Sequence, residues 1–240
     1  MNHDIYLDLI TGDDIPFKDI KIHQPTLREI KEIGVNTYNQ IMMPYTLTTD
    51  CFKGSEGNDP LNLLEDVLIK NKEFASCLVY SLAILANPKD ILLHDKYLEL
   101  VFEETTGKHS FIIDKNNFDE LADIVLKINA NKKVEVEKTP ENMSDRQKDI
   151  WEKMQEGRKR HNKKNELHLF DIINICEFAG KYHIQISEIM NWTLWRIMNC
   201  YKAILSMKSY DDNLKICLVS GDGKSISGDN HWYPQLMIRE

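Results

Sequence analysis

Ile189-Met190-Asn191-Trp192-Thr193-Leu194-Trp195-Arg196-Ile197-Met198-Asn199-Cys200-Tyr201 is the stretch on which the fold turns. Continued through Ile204 and Leu205, it puts apolar side chains on nearly every side of a helix. Such a helix has to be buried in a core or in a partner. Ser187 stands before it as an N-cap. Trp192 and Trp195 lie one helical turn apart. Large aromatics at that spacing serve a core first and an interface second. The stretch therefore predicts a mainly α protein, a multi-helix, bundle-like fold that is α+β only at its margin.

Working outward, a shorter helix is predicted from about Tyr210 to Val219. A Gly-rich loop then leads to His231-Trp232-Tyr233-Pro234. Upstream, Leu167 to Phe178 reads as a helix closed by Ala179-Gly180. Before it the composition changes. Residues 131–140 are mostly Lys, Glu and Val, and 144–166 are dominated by charge, with Ile150, Trp151 and Met154 the apolar exceptions. That pattern predicts a linker and a solvated helix. Its basic end, Arg158-Lys159-Arg160 and Lys163-Lys164, complements the helix dipole. The expected organisation is an N-terminal hairpin and helical domain (1–130), a charged linker and helix (131–166), and a C-terminal helical domain (167–240).

The N-terminal part opens on a predicted hairpin. Ile5 to Ile10 reads as an extended apolar strand and Thr11-Gly12-Asp13-Asp14 as a turn. Ile15-Pro16-Phe17 resumes the apolar pattern, and Ile20 and Ile22 alternate with Lys21 and His23. Pro16 lacks a backbone donor, which puts this strand at an edge. Pro25 suits the first turn of a helix carrying Leu27, Ile30, Ile33, Tyr38 and Ile41, ended by Pro44. Asp59-Pro60 reads as the start of another, with Leu61, Leu64, Leu68 and Ile69 on one face. Phe74 to Ala86 is apolar almost all round and predicts a buried central helix. A helix is expected from Asp90 to Glu104, a short strand at Phe111-Ile112-Ile113, and a helix capped by Asn117 with Leu121, Ile124, Val125 and Ile128 inward.

Composition narrows the function. With 42% apolar and 28% charged residues the chain can fold around a core. Its net charge of -8 argues against general nucleic-acid binding, which needs a surplus of Lys and Arg. Met1-Asn2-His3-Asp4 has no basic stretch leading into an apolar run, and no segment has the roughly 20 apolar residues of a membrane span. A cytoplasmic protein with its five cysteines reduced is expected.

No chemical motif is complete. Gly221-Asp222-Gly223-Lys224-Ser225 ends like a phosphate-binding P-loop, but Leu218 stands where the first glycine belongs, and a helix, not a strand, precedes it. His161 with His168, and Cys176 with His183, are each seven residues apart, without a second pair at ligand spacing. Asp114-Lys115-Asn116 opens like a calcium loop, yet Phe118 takes the fifth ligand position. Asp13-Asp14, Glu103-Glu104 and Asp211-Asp212 fall at turns or helix ends. We therefore expect no enzyme, no metal and no cofactor. Four acidic residues of the charged helix, Asp145, Asp149, Glu152 and Glu156, favour a solvated face or an acidic protein partner over a nucleic acid.

Asn191 to Met198 with Tyr201, then Tyr210-Asp211 and Leu218 before the loop closing on His231-Trp232, resembles the C-terminal part of tail assembly chaperones. These come from long-tailed phages and prophages of Gram-positive bacteria. Asp13-Asp14-Ile15-Pro16, His23 to Ile30 and Ile33-Gly34 look like the N-terminal hairpin and first helix of that group, and Gly157-Arg158-Lys159 recurs there too. The last loop departs from the group's small-residue run, reading Leu218-Val219-Ser220-Gly221-Asp222. The resemblance implies a factor in the host bacterial cytoplasm that binds tail-tube subunits and helps gather them around the tape-measure protein. Trp192, Trp195, Arg158, Lys159 and Arg160 are the candidate partner-binding residues. Self-association stays open, as do two other readings: a structural tail protein retained in the particle, and a DNA-associated helical regulator.

Overall fold

The computed structural model describes residues 5–52, 62–104, 107–135, 143–164, 167–179 and 183–220. It is mainly α with two small antiparallel sheets.

The chain opens not with a strand but with helix α1 (Ile5–Thr11). Tyr6 is half-buried and Leu9 fully buried, while Leu7 and Ile10 face out. The run Ile5 to Ile10 has no clean period of two, and an i, i+4 pair, Ile5 and Leu9, was enough to set a helix. Gly12, at φ 81°, ends it by donating its N–H to the Asp8 carbonyl at 2.8 Å. The hairpin follows one step later than expected. β1 (Ile15–Phe17) pairs with β2 (Ile20–Ile22), and Pro16 faces solvent opposite Lys21. In a two-stranded sheet both strands are edges, so the missing N–H leaves no inner neighbour unpaired.

The expected single helix from Pro25 is two helices, α2 (Leu27–Ile33) and α3 (Val35–Thr46). Gly34 at φ 92° separates them. Pro25 precedes the cap rather than sitting in the first turn. Thr26 is the N-cap, in a capping box with Glu29. Pro44 does not end α3; it is buried inside the helix, two residues before its end, where its missing N–H forfeits one i→i−4 bond without stopping the helix. A 3-10 turn covers Thr49–Phe52, and a wide π-turn over Leu63–Leu68 is capped by Asn62. Asp59-Pro60 and Leu61 lie outside the described residues. α4 (Lys72–Leu85) buries Ala75, Leu78, Ser81, Leu82 and Leu85, but Tyr80 is exposed, so the helix is one-sided rather than enclosed.

The predicted helix from Asp90 to Glu104 is a hairpin instead. β3 (Asp90–Leu93) pairs with β4 (Leu98–Glu104), which pairs with β5 (Gly107–Ile113). Leu98 and Leu100 are buried and Glu99 between them is half-exposed, a period of two that short-range apolar counting passes over. The turn between them has no Gly or Pro; stacked His94 and Tyr97 rings, 4.3 Å apart, hold it. α5 (Phe118–Ile128) begins after Asn117 as expected. Asn117 does not cap it by a side-chain bond. It donates instead to the Ile112 carbonyl at 2.8 Å and accepts from the Asp114 N–H at 2.9 Å, tying the strand end to the helix start.

The main core gathers the hairpin, α3, α4, α5 and the buried face of the three-stranded sheet, where Phe17 meets Phe111 edge to face at 5.8 Å. Two buried tyrosines join its helices. The Tyr45 hydroxyl pairs with Ser81 of α4 at 2.8 Å, and the Tyr38 hydroxyl donates to Asn129 beyond α5 at 2.6 Å. Burial pushes both phenols well above their ordinary range.

The charged helix is present as α6 (Asp145–Lys164). α7 (Leu169–Phe178) follows; Ala179 closes it, and Gly180 lies outside the described residues. The next helix does not start at a Ser187 cap. A single turn, α8 (Ile186–Ile189), is capped at Gln185, and a short break at Met190 to Thr193 precedes α9. α9 (Leu194–Ser220) is one continuous helix, so no break separates the predicted pieces on either side of residue 205. Its 27 residues span about 40 Å.

Candidate partner-binding surfaces

The two segments singled out at opposite ends of the sequence meet in space. Thr26 forms an antiparallel bridge with Thr193. The Leu27 N–H donates to the Trp192 carbonyl and the Arg28 N–H to the Met190 carbonyl, both at 2.9 Å. Those donors are first-turn N–H groups of α2 with no intrahelical acceptor, so the loop before α9 satisfies what the helix start leaves over. The Arg28 guanidinium also reaches the Asn191 side chain at 3.4 Å.

The packing is reciprocal. Leu27, from the N-terminal half, is buried in the C-terminal cluster with Ile172, Cys176, Ile189, Trp192 and Ile197. Trp195, from α9, is buried in the main core. Each side thus supplies a residue that the other side's core encloses. Trp195 is 2% exposed and Trp192 7%. The Arg196 guanidinium covers the Trp192 ring at 4.5 Å from its centroid, a cation–π contact. In this fold both tryptophans hold the junction together and neither offers an open face.

Polar groups brace the junction from the N-terminal side. Buried Gln24 donates to the carbonyls of Asp8 and Asp13, fixing the turn after α1. His23 lies between two carboxylates, its Nδ1 3.0 Å from Asp14 and its Nε2 3.2 Å from Glu29. Burial pushes the Glu29 carboxyl up, but the Thr26 backbone N–H at 2.7 Å, the Thr26 hydroxyl at 2.8 Å and His23 outweigh it and hold it below its ordinary value. Beside this bracket Asp14, Asp19, Lys21, Glu32 and His109 line an open cleft of about 990 Å³.

A second opening, of about 910 Å³, runs between α2–α3 and α7–α9. Its walls are mostly apolar: Leu27, Val35, Leu169, Phe170, Ile173, Met190, Leu194 and Met198. α7 forms one wall because only one of its faces is used. Ile172 and Cys176 pack on α9, whereas Phe170 and Phe178, on the outer side, are 61% and 70% exposed. The sequence reading passed over these two phenylalanines. The signal was an apolar helix with more aromatic surface than a partner face of one turn-spaced pair can cover.

Residues 161–237 match a family model described as the YomV second domain. YomV is a protein of Bacillus phages and prophages, so the match links α7, α8 and α9 to a phage-related domain. It covers about a third of the chain. Neither the curated proteins nor the solved structures give a match.

The basic residues sit elsewhere. Arg158 and Arg160 are exposed on α6, and Arg160 pairs with Glu156 one turn back at 3.2 Å; the Lys159 side chain lies outside those described. Ile150 and Met154, one turn apart on the same helix, are exposed and Trp151 is half-buried. α6 shares no extensive contact with another described element. Among the described residues no group of His, Cys, Asp and Glu has the arrangement of a metal site, and no helix is long and apolar enough to cross a membrane. In the loop at Asp114 the carboxylate accepts from the Asn116 backbone at 2.9 Å and from its side chain at 2.8 Å, a turn closed on itself. Gly221 to Ser225 and His231-Trp232 lie outside the described residues.

Proposed function

We propose that this chain is a tail assembly chaperone, which binds tail-tube subunits and brings them to the tape-measure protein. The observation that carries the reading is the open, largely apolar groove that exposed Phe170 of α7 lines, one wall of which belongs to the region that matches a phage-related domain. A groove of this kind takes an apolar helix or extended segment of another protein. The resemblance to tail assembly chaperones makes a tail-tube subunit the expected source of such a segment. The exposed basic end of α6 adds charge that guides an acidic partner without fixing it tightly.

The test is co-purification of the full chain with a tail-tube subunit and, separately, with a tape-measure protein. Capture of the tube subunit, lost in Phe170→Asp while the fold is kept, supports the proposal. Two results count against it. One is recovery of the chain at fixed copy number in finished particles, as for a structural tail protein. The other is DNA binding that falls steeply with salt, as for a DNA-associated regulator.

A further inference from the structure

Among the described residues no other element covers α6 extensively, and its exposed side chains are sorted around it. Gln147, Ile150, Met154, Gly157 and His161 recur at alternating intervals of three and four residues, the a and d spacing of a heptad. All five are exposed, and Ile150 and Met154, at the centre, are 52% and 53% so. An added Cβ at Gly157 would meet nothing within 4 Å, so the seam leaves a hole there for a side chain from outside. The charges keep the same period. Arg146, Lys153 and Arg160, all exposed, take the g positions along one flank of the seam. Half-buried Trp151 and exposed Arg158 take the e positions along the other. Asp149 and Glu156 take c positions, behind the first flank. Basic residues therefore border the apolar seam and these acidic ones stand away from it. Arg160 does pair with Glu156 at 3.2 Å, but both side chains are mostly in water, where such a pair contributes little and yields to a better one.

We propose that this face of α6 docks an amphipathic helix of another protein whose heptad flanks are acidic. Charge selects the occupant. A second copy of α6 fits badly. Antiparallel pairing sets g against g, cation against cation, and parallel pairing sets g against e, bringing Lys153 to Arg158. A nucleic acid would engage the cations but leave Ile150 and Met154 in water, since phosphate contacts make no use of an apolar seam. A helix with Glu or Asp at its e and g positions meets a cation on either flank and covers the seam between them. The seam is short, so the pairing is weak and depends on salt. This gives the guiding charge of α6 a bound form, and it stands whether or not the groove beside α7 receives a tail-tube subunit.

The experiment measures binding of fluorescent peptides to the full chain by anisotropy at low salt. The probe is a peptide of about four heptads with Ile at a, Leu at d and Glu at e and g, whose own like charges oppose self-pairing. One control carries Lys at e and g, and the other is the acidic peptide in scrambled order. The chain should bind the acidic heptad peptide at least about tenfold more tightly than either control, and added salt should weaken that binding. Ile150→Ser with Met154→Ser should lose about tenfold, and so should Arg146→Glu with Lys153→Glu and Arg158→Glu. The charge-reversed chain should also gain affinity for the Lys peptide, a switch that loss of folding cannot produce. Asp149→Asn, away from the seam, should change binding by less than about twofold. The proposal is overturned if the scrambled acidic peptide binds as well as the heptad one, if the Ile150 and Met154 exchanges leave binding intact, or if charge reversal brings no switch. Displacement of the peptide by duplex DNA at equal concentration would also overturn it and assign the surface to nucleic acid. Capture of a tail-tube subunit through Phe170 is a separate measurement, so either reading can fail without the other.

Discussion

α9 and α6 are the two longest described helices, 27 and 20 residues, and they use length in opposite ways. α9 begins at the junction, where Trp195 enters the main core and the preceding Thr193 pairs with Thr26, and it continues along α7. Its far end shows Ile216, Leu218 and Val219 to solvent. α6 stands on charge. Its apolar residues are too few for a buried stripe, and its stability rests on i, i+4 pairs such as Glu156 with Arg160. Length alone therefore says little about a helix's role. What separates the two is whether side chains on its first turns find a cavity prepared by a distant part of the chain.

Substitutions at the junction should have the largest effects. Trp195→Ala removes an aromatic buried in the main core and should cost about 3–5 kcal/mol, read as a lowered denaturant midpoint. A loss below about 1 kcal/mol would show that α9 contributes little to the core. Gly12→Ala comes next. Gly12 has φ 81°, and an added Cβ would lie 3.3 Å from the Thr193 methyl, so strain and contact combine. About 1–2 kcal/mol is expected in chemical denaturation.

Thr26→Ala, which opens the capping box, should cost about 1 kcal/mol. The same bracket predicts a pH dependence. The folded Glu29 carboxyl is held below its ordinary 4.5, so its contribution is complete above that value and is lost as the pH falls through the lower, folded one. The stability difference between the wild type and Glu29→Gln should be present at pH 7 and shrink as the pH drops below 4.5. A difference that grows on acidification would contradict the assignment. The smallest effect is expected from cutting the chain itself. Residues 131–145 lack apolar periodicity and carry Thr139-Pro140, so limited proteolysis should act there first. The two folded pieces should still elute together, held by the Leu27 and Trp195 exchange. First cuts within 60–130 would misplace this boundary.

How much of this was legible depends on the period each segment carries. α5 and α6 were readable because one has a strict apolar face and the other almost none. Ile5 to Ile10 was not, since six residues with one central Asp fit either period; the Gly12 turn that settles it acts through backbone bonds to Asp8. Asp90 to Glu104 was misread because its turn is made by His94 and Tyr97 rather than Gly or Pro. At the site, burial of Trp195 followed from its all-apolar helix, and both junction segments stood out as patterns. Their contact did not, because the Arg28–Asn191 pair spans 163 residues and nothing local encodes it. Phe170 and Phe178 were missed because Leu167 to Phe178 reads only as an apolar helix, and nothing in the segment says which of its faces stays open.

The central claim is that the tryptophans hold the fold while the partner is met on other faces. It is tested most directly by comparing Trp195→Ala with a chain carrying Glu at positions 158, 159 and 160, in thermal melting and in capture of a tail-tube subunit at low and high salt. Each α6 change should alter stability by no more than about 0.5 kcal/mol, so the triple variant should melt like the wild type. It should associate more slowly at low salt, and added salt should blunt the difference. Trp195→Ala should melt early. A triple variant that captures the subunit normally at low salt would leave the basic end of α6 a mere spacer, and a Trp195→Ala chain that melts normally yet loses the subunit would move the interface onto α9; either result would contradict the account.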